Sequence, residues 1–210
     1  MSLRLSRTAI FISLLAGPTL ALAASLSVEV ADASGAPLTD AVVYAEPASG
    51  QVLSKAAQNA HSAEIEQRKR RFNPLVTVVQ VGTEISFPNN DTVKHHVYSF
   101  SQPKVFDLPL YSGKAAAPQL FDKAGTVVLG CNIHDQMIAY VEVVDTPFFA
   151  KSDAQGKLKL EGLPPGKYRL KAWHYNLPIS VPFVEQGATM IGGDSTASFK
   201  LDLKPAATAK

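Results

Sequence analysis

Short hydrophobic runs alternate with short polar segments along most of the chain. The runs are rich in Val, Ile, Phe and Tyr, and Gly, Pro, Asn and Asp separate them, which is typical of β-sandwiches and β-barrels. We therefore predict an all-β protein. The predicted strands cover residues 26–30, 41–45, 75–81, 84–87, 96–100, 126–129, 138–144, 157–160, 168–173 and 197–203.

Three segments depart from the strand pattern. A helix is predicted near residues 54–67, where alanines and glutamates collect. Residues 114–121 are predicted to form a loop, because Gly113 and Pro118 interrupt any regular pattern. The tail, residues 204–210, is rich in Ala, Thr and Lys and is predicted to be disordered.

The N-terminal segment has the features of a secretory signal peptide. Arg4 and Arg7 precede an apolar run over residues 8–20, and Ala-Leu-Ala follows at 21–23. This order predicts cleavage of residues 1–23 and a periplasmic location for the mature protein. The run is shorter than the roughly 20 residues that a transmembrane helix needs. We expect no membrane span in the mature chain, with an uncleaved N-terminal anchor as the alternative.

The charge balance and the cysteine content narrow the classes of function. The chain has 20 Lys and Arg against 18 Asp and Glu, and two of the arginines lie in the predicted signal peptide. The mature chain is therefore formally neutral, which is not the composition of a nucleic-acid-binding domain. Its single cysteine, Cys131, cannot form an internal disulfide, so it is either a free thiol or a metal ligand.

One segment concentrates side chains that bind soft metal ions. Cys131, His134 and Met137 follow one another at intervals of three residues, and His95 and His96 lie upstream. Two imidazoles, one thiolate and one thioether are the ligand set of a blue-copper electron-transfer centre. We therefore predict one bound copper ion. The alternatives are an inert buried thiol at Cys131 and simple core packing at Met137.

Strand geometry limits how these residues can act together. Adjacent strand residues point to opposite faces, so only one of His95 and His96 can enter the site, and the pattern does not choose between them. Four protein ligands leave no open coordination position for metal hydrolysis or oxygen activation, so a carrier is favoured over an enzyme. Asp91 and Asp135 are predicted to be turn formers.

Residues 87–100 and 127–143 resemble the two copper-binding stretches of the cupredoxins, the family of plastocyanin, pseudoazurin and amicyanin. An Asn-rich turn that leads to a histidine, and then a Cys-x-x-His-x-x-Met loop, carry the resemblance. It implies a Greek-key β-sandwich over residues 63–144 and a type 1 copper site. The implied equatorial ligands are His95, Cys131 and His134, and the implied weak axial ligand is Met137. His96 stands where the family usually has an asparagine that binds the cysteine loop.

A second resemblance covers the flanking segments. Residues 152–170, with Pro-Pro-Gly at 164–166, resemble the carboxypeptidase-regulatory-like β-sandwich, and residues 30–44 resemble its opening. We predict that residues 25–50 and 147–203 pair as one smaller Ig-like or prealbumin-like sandwich, into which residues 63–144 are inserted. In the alternative arrangement, the N-terminal strands extend the sheet of the copper domain.

These features together predict an exported single-electron carrier that is not an enzyme. The expected partner is a redox protein, such as a dehydrogenase, a cytochrome or an oxidase, and no nucleic acid. His134 is the expected electron exit, with Ile133, Ile138 and Pro103 at the contact rim. The alternatives are a copper storage or delivery protein and a binding module with a vestigial copper site.

The basic run 68–71 is predicted to be a solvated strand end or loop, with a docking patch for an acidic redox partner as the alternative. The sequence does not determine the oligomeric state.

Overall fold

The computed structural model describes residues 24–48, 61–114 and 117–204. The predicted signal peptide and residues 205–210 of the tail lie outside these ranges. Every regular secondary-structure element within these ranges is a β-strand, which confirms the all-β prediction. The strands are β1 (Ala24–Asp32), β2 (Val42–Pro47), β3 (Ser62–Glu64), β4 (Glu66–Arg68), β5 (Arg71–Asn73), β6 (Val76–Gln80), β7 (Thr83–Ser86), β8 (His95–Ser101), β9 (Lys104–Tyr111), β10 (Gln119–Phe121), β11 (Gly125–Gly130), β12 (Ile138–Val144), β13 (Phe149–Lys151), β14 (Lys157–Leu163), β15 (Gly166–Trp173), β16 (Val184–Met190) and β17 (Ser195–Leu201).

The first and last parts of the chain together form one sandwich, here called the terminal sandwich. One sheet has the order β14-β1-β17 and the other has the order β13-β2-β15-β16. Strand β1 is antiparallel to β14 and parallel to β17. Its side chains alternate, so Leu26, Val28 and Val30 are buried while Ser27 and Glu29 are exposed. Such alternation places one face of the strand on the core and the other in water.

Strand β3 and strands β6 to β12 form the second sandwich, here called the central sandwich. Its larger sheet has the order β6-β12-β11-β8-β9, and its smaller sheet has the order β10-β7-β3. Strands β4 and β5 form a separate two-stranded hairpin. The core of this sandwich includes Phe87, Phe121, Leu129, Cys131 and Met137. The strands of residues 24–48 thus pair with strands of residues 149–201, as the insertion hypothesis requires, while the domain boundaries themselves stay a prediction.

A third apolar cluster joins the two sandwiches, and it explains why some strands are apolar on both faces. In β2, Val43 and Ala45 face the core of the terminal sandwich, whereas Val42 and Tyr44 face the central sandwich. In β12, Val141 and Val143 belong to the core of the central sandwich. Val144 joins the third cluster, which consists of Val42, Tyr44, Val76, Val144 and Trp173.

Two of the local predictions are wrong. The predicted helix, residues 54–67, overlaps β3 and the first two residues of β4, while residues 54–60 lie outside the described ranges. The predicted loop at 114–121 contains the short strand β10. In the described part of the chain, no helix has the length and apolar character needed to cross a bilayer.

Candidate metal centre

The predicted ligands converge at one end of the larger sheet of the central sandwich. His95 is the first residue of β8, and Cys131 directly follows the end of β11. These two strands are antiparallel neighbours, so the start of one lies beside the end of the other. His134 and Met137 lie in the seven-residue connection from β11 to β12, here called the ligand loop, residues 131–137.

Three of the four predicted ligands lie within reach of a common point. One ligand atom from each of His95, Cys131 and His134 lies within 4.8 Å of the other two. The Cys131 Sγ is 3.9 Å from the His134 Nδ1, and the His95 and His134 rings are 5.0 Å apart between centroids. His95 and Cys131 are buried, whereas His134 is partly exposed. Within the described residues Cys131 forms no disulfide, so its sulfur is available to a metal.

Met137 lies in the same core cluster as Cys131 and is fully buried. Its backbone N–H donates a hydrogen bond of 2.8 Å to the carbonyl of His134, which closes the end of the ligand loop. The axial role of its sulfur stays a prediction.

The two ring nitrogens of His95 have different surroundings. Nε2 lies 3.0 Å from Oδ2 of Asp91, which is its hydrogen-bond partner. The buried Nδ1 has no hydrogen-bond partner in the described part of the chain. Metal-binding histidines commonly donate their second N–H to a carboxylate, which orients the ring and raises its basicity. An imidazole so arranged can bind a metal through Nδ1, which fits a metal site at this point.

Asp91 therefore does more than form a turn, which sequence reasoning missed. Hydrogen bonds from the His95 side chain and from the Arg70 backbone N–H lower the pKa of Asp91 to about 2. The carboxylate is thus ionised near neutral pH and accepts both hydrogen bonds at the same oxygen, Oδ2. The only signal in the sequence was the four-residue spacing from Asp91 to His95.

The turn that presents Asp91 and His95 is held by buried amide side chains. Asn89 donates through Nδ2 to the carbonyls of Val93 (2.9 Å) and Tyr111 (2.7 Å). The Asn89 side-chain oxygen accepts a hydrogen bond of 3.0 Å from the Asp91 N–H. The buried Gln67 donates to the carbonyl of Phe87 at 3.0 Å. These bonds leave the segment little freedom, so His95 is held in place by the fold.

His96 lies outside the cluster, as strand alternation requires for one of the two neighbours. Its Nε2 is 2.7 Å from Oδ1 of Asp107 on β9. The sequence resemblance to the cupredoxins implied that a residue at this position would bind the cysteine loop. His96 is instead tied to the neighbouring edge strand.

Two of the three residues predicted for the contact rim are exposed beside the ligand loop, while the contact itself stays a prediction. Ile133 and Ile138, in and after the ligand loop, are 47% and 41% exposed. Pro103 lies in the turn between β8 and β9, beside Gly125 at the start of β11. It is therefore at the opposite end of β11 from Cys131 and does not belong to the rim.

The donor set indicates which metal the cluster suits. Imidazole and thiolate ligands bind copper and zinc, and hard cations such as Mg²⁺ and Ca²⁺ prefer oxygen. The His-Cys-His cluster supports copper binding.

No protein-family profile and no curated protein matches the chain. Among solved structures, it is similar to a purple cupredoxin from Nitrosopumilus maritimus, with 23% identity, 39% of this chain and 99% of that chain covered, and a TM-score of 0.35. A copper-containing nitrite reductase from Thermus scotoductus has 21% identity over 48% of this chain and 26% of that chain, with a TM-score of 0.39. A reduced amicyanin variant has 23% identity over 48% of this chain and 99% of that chain, with a TM-score of 0.35. Scores this low do not assign the chain to a family, and the carboxypeptidase-regulatory-like resemblance stays a prediction.

Proposed function

We propose that this chain is an exported type 1 copper protein that carries single electrons. One copper ion would be held by His95, Cys131 and His134, with Met137 as the weak axial ligand. When bound, copper supplies a one-electron Cu(I)/Cu(II) couple. The observation that carries the proposal is the convergence of two imidazoles and the single thiol within 4.8 Å of one another.

The chain supports this role by fixing and shielding the ligands. His95 is oriented by Asp91, and Cys131 lies in the apolar core of the central sandwich. A site that changes little between two oxidation states transfers electrons faster than one that must rearrange. The partial exposure of His134 between the exposed Ile133 and Asp135 leaves one ligand edge near the surface. Four protein ligands would leave no open position for a substrate, so we propose a carrier and not an enzyme.

Copper storage or delivery is the second candidate, because soft ligands also hold Cu(I) well. Titration of the metal-free protein with Cu(II) separates the two. A carrier binds one equivalent, becomes intensely coloured and cycles reversibly between oxidation states. A delivery protein gives its copper up readily to a soluble Cu(I) chelator.

The matched variants are Cys131→Ser, His95→Gln and His96→Gln. The first two should lose the colour and the tight stoichiometric binding, because each removes a proposed ligand. His96→Gln should keep both, since His96 lies outside the cluster and binds Asp107. If the wild-type protein binds no stoichiometric copper, the proposal is wrong and a vestigial site remains.

A further inference from the structure

The tip of the β4–β5 hairpin combines strong positive charge with an unfavourable backbone. Arg68 and Arg71 pair across the hairpin, and Lys69 and Arg70 form the turn with φ angles of 54° and 56°. Two-residue hairpin turns with two positive φ angles favour Asn-Gly or similar residues. Left-handed conformations disfavour Lys and Arg, and such strain persists mainly where it serves a function. The turn therefore has Lys69 and Arg70 at positions where Asn and Gly would be favoured.

The positive charge at this hairpin has little compensation. All four basic residues are exposed. Of these four residues, Arg68 alone has an ion pair within the described part of the chain, at 3.9 Å from Glu66, and the Asp91 carboxylate accepts from the Arg70 backbone N–H. The hairpin borders a cleft of 930 Å³ with no acidic residue in its lining. Uncompensated charge at a concave surface attracts ligands of opposite sign. The cleft is lined by Arg68, Lys69, Arg70, Arg71, Phe72, Asn73, Leu75, Gln136 and Ile138.

The cleft adjoins the ligand loop. Gln136 and Ile138, which flank the proposed ligand Met137, form part of its wall. The Arg70 N–H donates a hydrogen bond of 2.7 Å to Oδ2 of Asp91, the oxygen that also contacts His95. The Asp91 carboxylate thus links the tip of the hairpin to His95, a proposed ligand.

Backbone hydrogen bonds hold the hairpin in this position. The Gln67 N–H donates to the carbonyl of Pro88 at 2.8 Å, and the Asn90 N–H donates to the carbonyl of Gln67 at 3.0 Å. Gln67 is fully buried. A cationic surface that is built into the fold beside the ligand loop can orient an approaching molecule.

We propose that the basic hairpin and the adjoining cleft form the docking surface for an acidic protein partner. Leu75 and Ile138, 37% and 41% exposed, would supply the apolar centre of the contact, and the cations would supply its charged rim. Complementary charge mainly speeds encounter and fixes orientation. A protein is favoured over a nucleic acid because the mature chain is formally neutral and its run of consecutive basic residues is only four residues long. That the partner is a redox protein rests on the proposed function; the docking itself does not.

The test uses a fluorescently labelled deca-glutamate peptide as the probe and the metal-free protein. Lys69→Asn/Arg70→Gly removes two charges and keeps the backbone N–H that binds Asp91. Lys167→Gln/Lys200→Gln removes two exposed charges from the terminal sandwich and is the matched control. Fluorescence anisotropy should show binding that is about tenfold weaker for the hairpin variant, unchanged binding for the control, and weaker binding as salt is added.

Two results would overturn the docking proposal. Equal loss in both double variants would mean that the peptide is attracted to the molecule as a whole. Tighter binding of single-stranded DNA or of anionic phospholipid vesicles than of the peptide would assign the surface to another class of partner. Copper titration of the same proteins keeps the two proposals apart. Intact peptide docking without copper binding contradicts only the proposed function, and normal copper binding without docking contradicts only the docking surface.

Discussion

The His95 ring is already oriented for metal binding by the fold itself. Its Nε2 contacts Asp91 and its buried Nδ1 has no partner in the described part of the chain. An unpaired buried polar atom costs free energy, typically about 1–3 kcal/mol. A metal ion bound at Nδ1 would remove that cost.

Asp91→Asn should weaken copper binding about 10- to 100-fold, the usual effect of removing an outer carboxylate from a metal-binding histidine. The amide keeps the shape of the side chain but loses the charge that favours a donated N–H. A competition titration against a chelator of known affinity measures the change. Asp153→Asn, in a turn of the terminal sandwich, is the control and should leave the affinity unchanged. Equal affinities for wild type and Asp91→Asn would mean that Asp91 only shapes the turn.

Met137→Leu should keep one equivalent of copper but change its visible spectrum and raise its reduction potential, because the weak axial ligand tunes the potential. Met190→Leu is matched in burial, since both methionines are almost fully buried, but it lies in the terminal sandwich. Each exchange should lower the free energy of unfolding by less than about 1.5 kcal/mol. Identical spectra and potentials for both variants would exclude Met137 as a ligand.

In the β4–β5 hairpin, hydrogen bonds to a neighbouring segment offset an unfavourable turn conformation. Its two central residues adopt a conformation that costs roughly 1–2 kcal/mol for each ordinary L-residue. It remains folded because Gln67 and Arg70 are tied to the segment that precedes β8.

Lys69→Asn/Arg70→Gly should therefore stabilise the protein even though it removes two side chains. Asn and Gly suit the left-handed turn, but glycine also increases the entropy of the unfolded chain, so the net gain is about 1 kcal/mol. Urea unfolding followed by fluorescence measures it. Lower stability of the variant would show that the cations themselves hold the hairpin in place.

The strands that the sequence pattern missed share a structural position. Strands β3, β9, β10, β13 and β16 are edge strands, and β4 and β5 form the isolated hairpin. An edge strand pairs on one side only and needs no continuous apolar run, and it even tolerates a proline such as Pro109 in β9. The central strands β8, β11 and β12 were predicted, because a buried strand consists of the apolar and β-branched residues from which strands are predicted.

At the scale of the whole molecule, the contact between the sandwiches buries an acid. Glu142 on β12 is 5% exposed and lies in a cleft of 310 Å³ whose lining includes Tyr44 and Lys171 of the terminal sandwich. Burial raises the pKa of Glu142 to about 7, although the Thr126 hydroxyl donates to its carboxylate at 2.6 Å. Burial and the charge of Glu142 also raise the pKa of Tyr44 above its ordinary value.

The stability of the protein should consequently fall as the pH rises from about 4.5 to about 7. In this window Glu142 of the unfolded chain has lost its proton while the folded state still binds it, so rising pH favours unfolding. The effect amounts to at most about 3 kcal/mol. Glu142→Gln should remove it, as measured by urea unfolding at several pH values, and the exposed Glu29→Gln should not. Parallel pH profiles for wild type and Glu142→Gln would contradict the raised pKa.

The sequence by itself determined the candidate metal ligands and the class of the fold. Residue types and spacing pointed to these ligands, since a metal selects donor atoms and a loop sets their separation. Short hydrophobic runs identified the central strands, because the residues that a buried strand requires are visible in the local sequence. Family resemblance implied that His95 is the ligand and that the two ends of the chain share one sandwich, but only the tertiary structure decided between these arrangements and their alternatives. It alone revealed that Asp91 joins the basic hairpin to His95. Each of these depends on contacts between segments far apart in the chain, and local pattern carries no record of which distant segment will lie beside which.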